Sequence, residues 1–217
     1  AQSLTISNST LNQCSTLNSH RGDVTVSNST LNETGLYLED QSNSHSITAT
    51  VSGCNIYNIN LPTGIEILNY ARYLIENNSI KSYNYGIQIS NSGSGIAGNQ
   101  DIFNNNIYEC NMGGILAYSV TGSIYKNYIH NNQAGVKLMN NCNVALFGDE
   151  TAQVPSETQR IKNNTGYEVY CSQYSFPWYF RYNAIVDEDN AGNPDDPMLY
   201  FDYPTGGKVK IKDIRYN

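Results

Sequence analysis

A short phrase recurs along this chain: an apolar residue, two polar ones that are mostly Asn or Ser, a spacer, and then Ile or Leu. A Gly-apolar-polar-apolar run follows it some residues later. The phrase reads Ile75-Glu76-Asn77-Asn78-Ser79-Ile80 with Gly86-Ile87-Gln88-Ile89, and Ile102-Phe103-Asn104-Asn105-Asn106-Ile107 with Gly114-Ile115-Leu116-Ala117. It returns as Ile124-Tyr125-Lys126-Asn127-Tyr128-Ile129 with Gly135-Val136-Lys137-Leu138. A unit this small cannot bury its own apolar face, so repeats of this period stack into a solenoid.

The second apolar anchors are Leu11, Leu31, Ile56, Ile80, Ile107, Ile129, Ile161 and Ile185, spaced 20 to 32 residues apart. A constant phrase at variable spacing means that loops lengthen while the coil stays the same. Short alternating strands with no helical pattern between them predict an all-β parallel β-helix of about nine coils, each of three short strands. Composition agrees. Charged residues are only 14% of the chain, while Ile, Val, Thr and Tyr suit a pleated surface. Residues 1–217 read as one domain. The end, Ile214-Arg215-Tyr216-Asn217, copies Phe180-Arg181-Tyr182-Asn183, so the expectation is a piece of a longer repeat protein, with the parent's neighbouring coils as partners.

In the Gly-led strands, period-two alternation predicts inward pairs at Leu36 and Leu38, Ile65 and Ile67, Ile87 and Ile89, Ile115 and Ala117, Val136 and Leu138, and Tyr167 and Val169. The residues between them, Tyr37, Glu66, Gln88, Leu116, Lys137 and Glu168, are expected to face outward, with Lys137 and Glu168 paired. Gly35, Gly64, Gly86, Gly114, Gly135 and Gly166 are expected to supply corners with positive φ. Asn78, Asn105, Asn127 and Asn183 share one place in the phrase and predict an amide ladder up the stack.

The formal net charge of −7 argues against nucleic acid and anionic membranes as partners, and no apolar run is long enough to span a membrane. A polyanionic glycan meets the same objection unless a basic groove relieves it locally. Five cysteines, Cys14, Cys54, Cys110, Cys142 and Cys171, form no CxxC pair and have no His at metal-ligand spacing. They read as small buried side chains, with a Cys142–Cys171 bridge between coils as the alternative.

The Asn-Asn-before-Ile phrase with its Gly-apolar-polar-apolar strand resembles the right-handed parallel β-helix repeat of the pectin-lyase-like superfamily, over nearly the whole chain. The part from Ile161 to Asn217 is also similar to repeat regions of large secreted bacterial surface proteins. The resemblance implies an extracellular or cell-surface module serving as a non-catalytic stalk or an adhesive, glycan-binding element. The competing expectation is a polysaccharide lyase or glycoside hydrolase working in a groove on the flank, because the superfamily contains both. Arg160-Ile161-Lys162 matches a triplet of polygalacturonase-like hydrolases, but the paired Asp residues such an inverting enzyme needs are missing from the preceding coils. The reading for the triplet is a solvated coil edge.

Eighteen tyrosines and one tryptophan are the feature most suggestive of function. Aromatic faces stack on sugar rings, so Tyr57, Tyr83, Tyr85, Tyr108, Tyr125, Tyr128 and Trp178 are the candidate glycan-binding residues, for a polysaccharide or cell-surface glycan. The same residues also serve as cross-strand pairs on any exposed sheet. No cofactor is expected, apart from a possible Ca²⁺ at Asp187, Asp189 and Asp195, where oxygens alternate around Gly192. Against that site, Ala191 stands where a third ligand belongs and no Glu closes the loop. The segments from Phe147 to Ser156 and from Val186 to Pro197 are expected to protrude as loops. Arg21-Gly22-Asp23 and Leu61-Pro62-Thr63-Gly64 are expected to be turns.

Overall fold

The computed structural model describes residues 3–41, 47–58, 61–92, 100–148, 159–172, 174–175, 177, 179–181, 183–186 and 199–201. They form a parallel β-helix with three faces. The first face is an 8-stranded sheet: Leu4–Ser7, Val24–Ser27, Thr48–Ser52, Arg72–Glu76, Gln100–Phe103, Thr121–Tyr125, Asn143–Phe147 and Tyr179–Arg181. The second face carries Asn55–Tyr57, Ser79–Lys81, Asn106–Tyr108, Tyr128–His130, Gln159–Lys162 and Asn183–Val186. The third carries Thr63–Leu68, Tyr85–Ser90, Gly113–Tyr118, Val136–Met139, Val169–Cys171 and Leu199–Phe201. Two ten-residue strands, Thr10–Ser19 and Thr30–Glu39, run on through a corner and join these two faces into one 14-stranded sheet.

The expected nine coils are therefore replaced, among the described residues, by six turns of three separate strands. Two N-terminal turns, in which a long strand does the work of two, precede them. Ile214 to Asn217, the expected copy of Phe180 to Asn183, lie outside the described residues.

Every strand pairs in parallel with the strand one repeat away, so like residues stack. The eight anchors from Leu11 to Ile185 form one unbroken column on the second face. The first face contributes Val26, Val51, Ile75, Ile102, Ile124, Leu146 and Phe180 to the interior. The third contributes Leu36, Ile65, Ile87, Ile115, Val136 and Val169, all predicted inward by the alternation, whereas Tyr167, expected inward beside Val169, is only half-buried. Each fully buried Ile or Leu in these columns contributes about 1.5–3 kcal/mol of transfer free energy. That driving force exists only when a neighbouring rung covers it.

The Val169–Cys171 rung is shifted by two residues from expectation. Val136 stands beside Val169 and Leu138 beside Cys171, so Tyr170 joins Lys137 on the outside. Glu168 takes the place beside Gly135 that was expected of Gly166. It is buried, not paired with Lys137, and its carboxylate accepts hydrogen bonds from the backbone N–H (3.0 Å) and Nδ2 of Asn164.

The corners are not made by the column glycines, because none of these has positive φ. Left-handed residues make them: Asn77, Asn104 and Lys126 between the first and second faces, Ser82, Glu109 and Asn131 between the second and third, and Asn69, Asn91 and Ser119 between the third and first. Asn tolerates this region better than other L-residues because its short amide bonds locally. The glycines are required by proximity instead. A Cβ on Gly64 would lie 2.7 Å from the Gly86 carbonyl oxygen of the next rung, and one on Gly114 would lie 2.5 Å from Ile129 Cγ2.

At several of these corners a buried polar residue comes immediately after the left-handed one, and these stack as ladders. Asn78, Asn105 and Asn127 form the expected column, but the fourth place belongs to Gln159, with Asn183 beyond it. A second ladder, which the sequence reading overlooked, runs from Cys110 N–H through Asn132 and Asn164 to Glu168. Cys54, Cys110, Cys142 and Cys171 are buried free thiols and Cys14 is exposed. The Cys142–Cys171 bridge is thus corrected: Cys142 Sγ instead donates to the Ala117 carbonyl at 3.0 Å. Arg21 to Asp23 form a bend with Gly22 at φ 91°, as expected, whereas Thr63 and Gly64 open a strand and are not a turn.

Candidate functional site

Parallel rungs in register place each outward side chain over its counterpart one repeat away, about 4.8 Å along the axis. On the second face this produces two outward columns. One runs Asn12, Asn32, Tyr57, Lys81, Tyr108, His130, Lys162; the other runs Thr10, Thr30, Asn55, Ser79, Asn106, Tyr128, Arg160. Among the described residues neither column holds a carboxylate, in a chain where 19 Asp and Glu outnumber 12 Lys and Arg. The polar N-terminal half thus gives way to a strip of alternating rings and cations.

The rings hold the cations in place. Lys81 Nζ lies 5.6 Å from the Tyr57 ring centre and 5.7 Å from that of Tyr108, bridging the rungs on either side of its own. The Arg160 guanidinium stacks 3.9 Å from the Tyr128 ring, a geometry in which cation–π attraction is strong. His130 stacks on Tyr108 (5.2 Å, 2°) and on Tyr128 (3.9 Å, 22°), with Nε2 3.1 Å from Asn106 Oδ1. Burial, and then the Lys162 and Arg160 charges, push the His130 imidazole below its ordinary pKa. Glu109 at the adjacent corner acts weakly in the opposite sense. Because ring faces are occupied by neighbours a rung away, the strip offers a ligand cations, hydroxyls and ring edges.

A second feature lies on the third face. Tyr85, Gln133, Lys137, Met139, Tyr167 and Tyr170 surround a groove of ≈ 380 Å³. Tyr85 leans across Gly113, where a Cβ would come within 3.2 Å of its ring, and reaches Lys137, whose Nζ lies 5.7 Å from the ring centre. Tyr170 stacks on Tyr200 (4.9 Å, 6°), and Tyr167 tilts against Tyr170 at 5.3 Å. Burial lowers the Lys137 pKa. Farther along the outward column, Gln88 Nε2 donates to Glu66 Oε1 at 3.4 Å, and burial raises the Glu66 carboxyl.

The seven aromatic residues singled out from the sequence therefore go to different places. Tyr57, Tyr108 and Tyr128 come together on the second face, and Tyr85 lines the groove. Tyr125 is sandwiched between Phe103 and Phe147 on the first face at 4.9 Å from each. Tyr83 is fully buried, its hydroxyl donating to the Thr34 carbonyl at 3.0 Å, so it belongs to the core and not to a surface. Trp178, Asp187, Asp189 and Asp195 lie outside the described residues, as do 149–156 and 187–197 of the expected loops. Lys81, His130 and Arg160 were overlooked as a group. The residue following each anchor Ile would have found most of the strip, since Tyr57, Lys81, Tyr108, His130 and Lys162 occupy that position in five successive repeats.

The family profile described as right-handed beta helix region matches residues 1–185. No curated protein and no solved structure matches the chain.

Proposed function

This chain belongs to the right-handed β-helix family, and from that premise we propose that it is an extracellular or surface-exposed, non-catalytic binding module whose second face holds an anionic polysaccharide. The observation that carries this reading is the line Tyr57, Lys81, Tyr108, His130, with Arg160 beside it on Tyr128 and no carboxylate in either outward column. A cation fixed over a ring loses less side-chain freedom on binding than a free lysine, so its charge is already positioned for a ligand oxyanion. The cations lie along the helix axis, a direction that suits an extended polymer. The strip sets its cations at rung intervals along the axis, and this linear spacing of charge is what a polyanion requires. The strip holds no carboxylate pair for general acid and base roles, and this supports binding over hydrolysis.

Affinity electrophoresis through gels containing polygalacturonate, heparin or neutral hydroxyethylcellulose tests the proposal. Retardation by an anionic polymer is expected, weakened by raised salt and by the double variant Lys81→Gln, Arg160→Gln, with no release of reducing ends or unsaturated products. Equal retardation by the neutral polymer, or an unchanged double variant, would remove the strip from consideration. Product release would restore the enzymatic reading.

A further inference from the structure

We propose that the groove on the third face is a separate site for a small, flat, apolar monocarboxylate, such as an aromatic acid. Its walls are preorganised: Tyr85 is seated over Gly113 on one side, and Tyr167 packs against the Tyr170–Tyr200 stack on the other. Met139 adds a polarizable surface that adapts to ring edges. Among the described lining residues Lys137 is the single charged group, half-buried and with no described carboxylate beside it in the groove. Its neighbours one rung away in the outward column are Leu116 and Tyr170, so charge complementarity asks for one anion. A desolvated ammonium gains most from a ligand carboxylate that returns the interaction lost from water. The groove volume of ≈ 380 Å³ falls in the range of sites for small molecules and is short for a polymer. A sugar is the poorer occupant, because its many hydroxyls require partners and Gln133 is the only side-chain amide among the described lining residues.

The test is saturation-transfer NMR and titration of the chain with benzoate, with benzamide as a neutral isostere and galacturonate as a hydrophilic monoanion. Benzoate is expected to bind, benzamide and galacturonate at least about tenfold more weakly, and Lys137→Gln to reduce benzoate affinity to that of benzamide. Arg160→Gln, on the other face, is expected to leave benzoate binding unchanged. Circular dichroism of both variants establishes that they fold, and Tyr170→Leu, which retains an apolar wall, provides a second probe expected to weaken binding. Equal binding of benzamide, preference for galacturonate, or loss of benzoate binding in Arg160→Gln with retention in Lys137→Gln would overturn the assignment. Failure of the polysaccharide experiment leaves this one unaffected, because the two sites share no residue.

Discussion

The carboxamide oxygen of Asn127 accepts two hydrogen bonds from Asn105, one from the backbone N–H and one from Nδ2, each 3.0 Å long. Asn127 Nδ2 meanwhile donates to the Ile102 carbonyl at 2.9 Å and to the Tyr125 carbonyl at 3.0 Å, so one side chain satisfies backbone on two rungs. Asn127→Ala would orphan several buried groups at about 1–3 kcal/mol each. A loss of about 2–5 kcal/mol in urea denaturation is expected, whereas Asn104→Gly, one residue before the ladder at φ 54°, is expected to be near neutral. Equal losses at the two positions would show that the ladder adds nothing beyond the corner itself.

Ile115 sits between Ile87 and Val136 in the third-face column and is fully buried. Ile115→Asn places an unpaired amide among packed carbons and is expected to cost about 2–5 kcal/mol. Thermal melting checks it. An unchanged melting temperature would mean that this column is not the core.

Gly114→Ala introduces a Cβ 2.5 Å from Ile129 Cγ2 and 3.0 Å from the Gly135 carbonyl. Overpacking of this kind costs about 1–3 kcal/mol, with the strain shared between two rungs. If proximity and not backbone conformation is why glycine stands here, Ile129→Val, which keeps Cγ2, should rescue little, and Ile129→Ala should relieve part of the strain while adding its own cavity cost. A double-mutant cycle measures the coupling.

The His130 pKa is lowered by burial and by Lys162 and Arg160. The folded state consequently holds fewer protons than the unfolded chain just below the ordinary histidine range, and stability falls as pH drops through that window. A bound polyanion favours the imidazolium, so affinity for the anionic polymer should rise on acidification from about pH 7.5 to about pH 5.5, across the ordinary histidine pKa. His130→Phe keeps the stack and should flatten the profile.

Cys54, Cys110, Cys142 and Cys171 are buried, and burial pushes the Cys110 thiol up to about 11. Iodoacetamide near neutral pH should label Cys14 alone in the native chain and all five thiols in denaturant, as counted by mass spectrometry. Rapid native labelling of a second thiol would contradict the stacked core.

Stacking, the anchor column from Leu11 to Ile185 and the inward alternation at Leu36, Ile65, Ile87, Ile115 and Val136 were legible in the sequence alone. They are consequences of period and hydrophobicity, which are local properties of a repeat. Register at irregular rungs was decided only in three dimensions. Glu168 occupies a glycine's place because a buried carboxylate can end the Asn132–Asn164 ladder there, and Gln159 continues the other ladder although its type differs. The same holds for surface chemistry. Composition counted tyrosines and a negative total charge, but stacking rungs at one spacing sorted Tyr83 into the core, placed Lys81 between two rings, and brought Lys81, Arg160 and Lys162 onto one face. Hydrophobic pattern determines that the chain must stack on itself. Which side chains then become neighbours depends on where each loop returns, and that is a property of the closed structure.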